Sequence, residues 1–283
     1  MDTNKHSAET DLESHFEFGK NWEQFAHRIG PERLATAKRE LVALLGRDSF
    51  QGESWIDIGC GSGIHAVAAA KLGAQVLAID IDPVSVATTR QLAAKFGVSN
   101  LVRPETKSVF DLDGSEEKYD VVYSWGVLHH TGDMNRAIEI ASSLVKDEPQ
   151  ANLVLALYRR TKLCGFWRRE KRWYRSARPG SQKSVRRFFD MAYGISFRLR
   201  GRSFRDFKRN YQSRRGMDYS TDVHDWLGGY PYESIDHEPF VQTLNRLNFR
   251  TEKAILRYPG RTPSGIFGSG CDEYVFVRNR VDS

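Results

Sequence analysis

Short apolar runs alternate along this chain with segments whose apolar residues recur every three or four positions. The first run, Trp55 to Ile58, is apolar except for Asp57 and reads as a buried strand. From Ser62 the spacing turns helical, with Ile64, Val67, Ala68 and Leu72 on one face. Gln75 to Ile79 is a second strand that ends on Asp80. Asp82 and Pro83 then open a helix, the acid as a cap and the proline at the first helical position; it stops at Gly97. A weak third strand is expected near Asn100 to Arg103. Tyr119 to His130 reads as the fourth strand and its exit. Asp133 to Lys146 is helical, and Ala151 to Tyr158 is a continuous apolar run, as in a central parallel strand. Near the C-terminal end, Pro239 to Leu247 reads as a helix, and Arg250 to Leu256 and Cys271 to Arg278 as strands. A helix from Pro31 to Leu45, closed by Gly46, precedes them all. Strands interleaved with helices make this an α/β chain.

The turn after the first strand carries the most chemistry. Gly59, Gly61 and Gly63 offer three positions without a Cβ, where a ligand can approach the backbone. Asp80 follows Gly59 by 21 positions, the distance at which an acid after the second strand meets a ribose over the first turn. An ordinary strand–helix connection and a nicotinamide site are the alternatives. The loop reads D-x-G-x-G-x-G, not G-x-G-x-x-G.

That loop resembles motif I of the class I S-adenosylmethionine-dependent methyltransferases, with Asp57, Gly59, Gly61 and Gly63 standing in the pattern. The resemblance covers roughly Gly52 to Tyr158 and Ile235 to Arg278. It implies a Rossmann-like seven-stranded sheet with helices on both faces and the last strand antiparallel. It also implies a helical cover over residues 1–50, a cofactor-binding core over 51–158 and a C-terminal completion of the core over 235–283; residues 159–234, a basic helical insert, depart from the family, which normally passes from the fifth strand directly into one helix. S-adenosylmethionine is the implied cofactor. Asp80 would hold its ribose, Ile81 follows, and Cys60 fills a small-residue slot in the loop. Ser108 and Val109 stand at the adenine-contacting turn, where many members carry an acid in place of Ser108. Lys20 and Trp22 would line a lid, or belong to a small aromatic cluster. Trp125, Leu128, His129 and His130 leave the fourth strand near the methyl donor. Either histidine has a structural alternative, one bonding backbone and one capping the next helix. Adjacent residues on a strand face opposite ways, so at most one would face a substrate.

Composition changes the picture in one place. The 283 residues are 40 % hydrophobic, enough for a full core. Cys60, Cys164 and Cys271 are far apart with no C-x-x-C spacing, which suggests neither a disulfide framework nor a metal site, and favours a reducing, cytoplasmic setting. The N-terminal stretch lacks the order of a signal peptide, and no run is long enough to span a membrane. Charge, however, is segregated. Arg159 to Arg215 holds 20 lysines and arginines against 3 acids, while the rest of the chain holds 22 against 33.

The basic segment is interleaved with aromatics. Between Ser184 and Arg200, Val185, Phe188, Phe189, Ala192, Ile195 and Leu199 form a helical stripe. Three readings stay open: a nucleic-acid grip, a peripheral contact with an anionic membrane surface or a lipid-linked substrate, and a helical lid over the acceptor. Residues 215–233 then read as a binding loop around Gly228-Gly229-Tyr230-Pro231. They resemble a D-W-x-G-G-Y-P-[FY]-E signature of bacterial methyltransferases associated with sugar and surface-polysaccharide gene clusters. On that resemblance Asp222, Asp225, Trp226, Tyr230 and Glu233 are acceptor-site candidates, and His130 joins them from the exit of the fourth strand. A hydroxyl acceptor needs a base, for which His129, His224 and Asp222 are candidates; His224 falls outside the signature and has a solvated or core-edge alternative. The first reading is O-methylation of a sugar or other small metabolite. RNA methylation, N- or S-methylation of a metabolite, and a binding protein without activity are the alternatives.

Overall fold

A computed structural model describes residues 29–211 and 219–279. Lys20 and Trp22 lie outside them. The elements in chain order are α1 (Pro31–Leu45), β1 (Ser54–Ile58), α2 (Ile64–Lys71), β2 (Gln75–Asp80), α3 (Pro83–Lys95), β3 (Val102–Thr106), β4 (Val121–Trp125), α4 (Met134–Ser143) and β5 (Asn152–Tyr158). Then follow α5 (Cys164–Ser176), α6 (Pro179–Leu199), α7 (Phe204–Arg209), α8 (Tyr219–Gly228), α9 (His237–Arg246), β6 (Phe249–Ile255) and β7 (Cys271–Arg278). The seven strands form one sheet in the order β3-β2-β1-β4-β5-β7-β6. β1 to β5 pair in parallel, and β7 runs antiparallel between β5 and β6.

Alternation along each strand divides the core in two. Ile56, Ile58, Leu77, Ile79 and Val122 face one side, with α4 and α9 packed over them. Trp55, Val76, Ala78, Val121 and Tyr123 face the other, covered by α1, α2 and α3. Ala66 to Ala70 are all buried, and their small side chains let α2 lie close to the sheet. Strand order reverses between β1 and its neighbours β2 and β4, which opens a crevice at the C-terminal ends of the strands.

Three expectations shift. The third strand falls at Val102–Thr106 rather than at Asn100 to Arg103, because Leu101 closes a turn back to Val98 and pairing starts at Val102. It is an edge strand and so tolerates Pro104. The 215–233 stretch contains the helix α8, with Tyr219, Val223 and Leu227 buried on one face. The stripe on α6 splits. Phe189 packs against Trp226, ring centroids 5.7 Å apart, whereas Phe188, Ile195 and Leu199 point outward.

The insert forms a cap with its own small core of Trp167, Tyr174, Tyr219, Val223, Leu227 and Tyr232. It leaves the sheet after Tyr158 and returns beside it: Ile235 N–H donates to Tyr158 O at 2.9 Å, and Arg160 N–H to Ile235 O at 2.7 Å.

Candidate active site

The glycine turn is tied to the end of β2. The N–H groups of Gly59 and Cys60 both donate to Ile79 O, at 2.8 and 3.0 Å. Gly59 has φ +76, and a Cβ there would sit 2.4 Å from both methyls of Val127. Gly63 has the same φ, and its Cβ would meet Thr89 at 2.5 Å. The turn thus demands glycine on two independent grounds, backbone hand and space.

Two acids lie under this turn, Asp57 buried and Asp80 half-buried. Asp80 accepts from Gly61 N–H at 3.0 Å with one oxygen and from Asp82 N–H at 3.0 Å with the other. The backbone of Ile81 also donates to this carboxyl, which leaves one of its four lone pairs for another donor. Asp57 is buried, and its carboxyl accepts from the backbone of Ala66 in the first turn of α2, a helix whose preceding residue, Gly63, has no side chain to cap it. Burial, opposed by these amides, pushes Asp80 up to about 6. Burial and the neighbouring Asp80 push Asp57 up to about 7. Such a pair favours a cationic guest.

The exit of β3 completes one side. Lys107 N–H donates to Asp80 O at 2.9 Å. Ser108 and Asp111 form a reciprocal capping box around a short 3-10 turn, Val109–Leu112. The Ser108 hydroxyl therefore serves the backbone. Ile81 is half-buried and Val109 buried.

The exit of β4 completes the other. Trp125 is 41 % exposed at the strand end. The chain then leaves strand geometry for a 3-10 turn, Leu128–His130, so the rule of opposite faces lapses. The rings of His129 and His130 lie side by side at 4.4 Å, and that of His129 sits 3.9 Å from Tyr158. Their hydrogen bonds assign their tautomers. His129 Nδ1 accepts from Tyr158 N–H at 3.4 Å, which leaves the proton on Nε2. That Nε2 is buried and has no partner among the described residues. Burial, with His130 and Lys171 nearby, holds His129 neutral. In His130 the order is reversed. Nδ1 lies 2.6 Å from Pro231 O and donates to it, so Nε2 is the basic nitrogen.

The expected acceptor residues divide. Tyr230 and Glu233 flank the segment that touches the histidines. Glu233 N–H donates to His129 O at 2.9 Å, and its carboxylate accepts from Met134 N–H at 2.9 Å, capping α4. Asp222, His224, Asp225 and Trp226 ride on α8 inside the cap. Asp222 accepts from the Tyr211 hydroxyl, and His224 Nδ1 lies 2.8 Å from both the Tyr174 hydroxyl and Arg186. Burial and then Arg186 depress the His224 pKa. Trp226 stacks under Lys171, whose Nζ sits 4.0 Å from its ring centre and donates to its carbonyl.

Three participants went unnoticed in the sequence. Tyr158 read only as the end of a strand. Lys171 read as one charge in a basic run, yet it is fully buried; its offsets from Trp167 and Tyr174 mark one helix face. Glu170 beside it has both carboxylate oxygens buried and unpartnered among the described residues. Burial drives the Lys171 ammonium down and the Glu170 carboxyl up.

A family model described as a methyltransferase domain matches residues 26–192. The chain belongs to this methyltransferase family. Its sheet is that of the class I S-adenosylmethionine-dependent methyltransferases. Solved structures of PKMT2 from Rickettsia typhi share the fold at 15 % identity. One aligns with a TM-score of 0.56 over 87 % of this chain and 54 % of that one. Another, in complex with AdoHcy, aligns with a TM-score of 0.53 over 81 % and 49 %. Among curated proteins, the ubiquinone biosynthesis O-methyltransferase of a Chelativorans species is 32 % identical over 140 residues, covering 48 % of this chain and 54 % of the relative. That of Bartonella tribocorum is 30 % identical over 146 residues, covering 50 % and 58 %. The chain spans about half the length of these curated relatives. S-adenosylmethionine is the group the cradle fits: two glycines whose Cβ positions are filled by neighbours, a carboxylate with a lone pair to spare, and acids that favour a cation.

Proposed function

We propose that this methyltransferase transfers the methyl group to a hydroxyl of a small polar acceptor, a sugar or secondary metabolite, held at the exit of β4. Asp57, Gly59, Cys60, Gly61, Gly63, Asp80, Ile81, Ser108, Val109 and Trp125 are the proposed cofactor residues. Asp80 accepts from a ribose hydroxyl, and the glycine turn passes under the methionine end. S-adenosylmethionine supplies an electrophilic methyl on a sulfonium. The protein then has to align an acceptor oxygen and take its proton.

The observation that carries this reading is the pairing of two adjacent imidazoles whose Nδ1 atoms play opposite roles, one accepting and one donating, just beyond the Val127 that packs on Gly59. His130 Nε2 is the base, and His129 Nε2–H donates a hydrogen bond to the same acceptor. The hydrogen bonds thus favour His130 over His129 for the proton. His224 and Asp222, bound to Tyr174, Arg186 and Tyr211, shape the cap instead. An oxygen acceptor is further supported by the curated relatives, both named O-methyltransferases.

Calorimetric titration of S-adenosylmethionine and S-adenosylhomocysteine into wild type and Asp80→Ala tests the donor half. Micromolar binding lost in the variant is expected. A methyl-transfer screen of hydroxylated acceptors, sugars first, tests the other half, with His130→Gln lowering kcat on any acceptor found by about 10²-fold or more while binding the donor normally. Undiminished turnover by His130→Gln, or transfer only to amines, thiols or RNA, refutes the acceptor assignment.

A further inference from the structure

α6 is 21 residues long, and none of its side chains is fully buried. One face rests on the cap: Phe189 lies 5.7 Å from Trp226, Tyr193 5.7 Å from Phe204, and Phe197 4.7 Å from Phe207, ring centre to ring centre. The opposite face is apolar as well. Phe188 is 67 % exposed, Met191 57 %, Ile195 53 % and Leu199 83 %. Their spacing of three, four and four places them in one stripe about 16 Å long, at a rise of ~1.5 Å per residue. A helix at the surface of a globular protein normally turns polar residues outward, so a continuous apolar stripe there marks a contact. Lys183, Arg187 and Arg198, all exposed, run along one edge of it on the same helical geometry.

Charge selects the occupant. The segment that carries α6 holds 20 basic residues against 3 acidic ones, while the rest of the chain is acidic. A second copy seated symmetrically on this stripe would bring its own basic edge alongside and repel it. Single-stranded nucleic acid would use basic residues with flat aromatic rings, and Met191, Ile195 and Leu199 offer none. A basic edge beside flexible aliphatic side chains suits a surface that is anionic outside and hydrocarbon within.

We propose that this face of α6 docks the protein on an anionic lipid bilayer. Phe188, Met191, Ile195 and Leu199 enter the interface, and Lys183, Arg187 and Arg198 meet acidic headgroups. No helix among the described residues is long and apolar enough to cross a membrane, so the contact is peripheral. The cap springs from the C-terminal end of β5, the end of the sheet that holds the glycine turn. This proposal stands independently of the acceptor assignment.

The test is co-sedimentation of the full chain with sucrose-loaded vesicles of phosphatidylcholine, with and without phosphatidylglycerol. Binding to the anionic vesicles alone is expected, weakening as salt rises. Each basic residue near the surface is worth roughly fivefold, so Lys183→Gln with Arg187→Gln and Arg198→Gln should weaken partitioning about a hundredfold. Phe188→Ser with Leu199→Ser should abolish it at physiological salt and leave the thermal melt unchanged, since both side chains are exposed. Wild type that stays in the supernatant with anionic vesicles overturns the proposal. So does undiminished binding by the serine variant, or a concentration-dependent dimer in sedimentation velocity that the serine variant abolishes.

Discussion

Gly59→Ala tests the closest contact in the site, and its cost can be worked from the geometry. The new Cβ would stand 2.4 Å from both Val127 methyls and 2.8 Å from the Val127 Cβ. Valine is branched at Cβ, so no rotation of its side chain clears all three contacts. Overpacking of this kind costs about 1–3 kcal/mol. The φ of +76 adds about 1–2 kcal/mol for any residue with a Cβ. Together they give about 2–5 kcal/mol, a fall of about 1 M or more in a urea midpoint. Val127→Ala alone removes two half-buried methyls, for about 1 kcal/mol. Combined with Gly59→Ala, it also removes the two shortest contacts. The double variant should therefore be more stable than the sum of the single costs by about 1–2 kcal/mol, the signature of a direct contact. Equilibrium unfolding in urea of all four proteins measures this. Gly59→Ala within about 0.5 kcal/mol of wild type, or strictly additive costs, would refute the close approach between the glycine turn and the β4 exit.

Three further outcomes follow from the same structure. Asp57 and Asp80 have folded pKa values of about 7 and about 6, raised from 3.8, so between about pH 4 and 7 the folded state keeps protons that the unfolded chain has released. The apoprotein therefore loses stability as pH rises through that window; Asp57→Asn should remove about 2–3 kcal/mol of the fall between pH 5 and 8 in urea titrations, and an unchanged slope would count against the burial of Asp57. Glu233→Ala leaves Met134 N–H at the start of α4 without its acceptor, although Asp133 still caps Arg136 N–H, and should cost about 1 kcal/mol in a thermal melt; no loss is expected for Glu233→Gln, which keeps an acceptor for Met134 N–H. Lys171→Met leaves the Trp226 carbonyl without its buried donor and should cost about 1–3 kcal/mol in a thermal melt, and a melt equal to wild type would exclude the buried contact.

Much of the sheet was legible because its signals are local. A parallel strand buried on both faces is a bare apolar run, as at Asn152–Tyr158, and the glycine turn with Asp80 is a pattern of fixed spacing. β3 was displaced because an edge strand half open to solvent carries Pro104 and charged neighbours, which blur its start. α8 was obscured by the Gly228-Gly229 pair at its end and the Tyr230-Pro231 just beyond, although Tyr219, Val223 and Leu227 already stood at helical spacing. The site was half legible for a different reason. His129 and His130 announce themselves by type, but their tautomers depend on Tyr158 and Pro231, residues 29 and 101 positions away from their partners. Lys171 was hidden by its company. Within a run of solvated cations, only the period of the helix separates the one that is buried from the rest.

The cap leaves and re-enters the sheet at a single point, through the bonds between Ile235 and Tyr158 and between Arg160 and Ile235. A loop whose ends are pinned together costs little more when it grows, because closure entropy rises only with the logarithm of length. The strands under the glycine turn therefore bear little of the cost of a longer insertion. Exchanging residues 159–235 for a relative's segment is expected to leave the glycine turn and Asp80 as they are, provided the partners of Trp167 and Phe189 in the β6–β7 loop, Gly265 and Phe267, are exchanged with it.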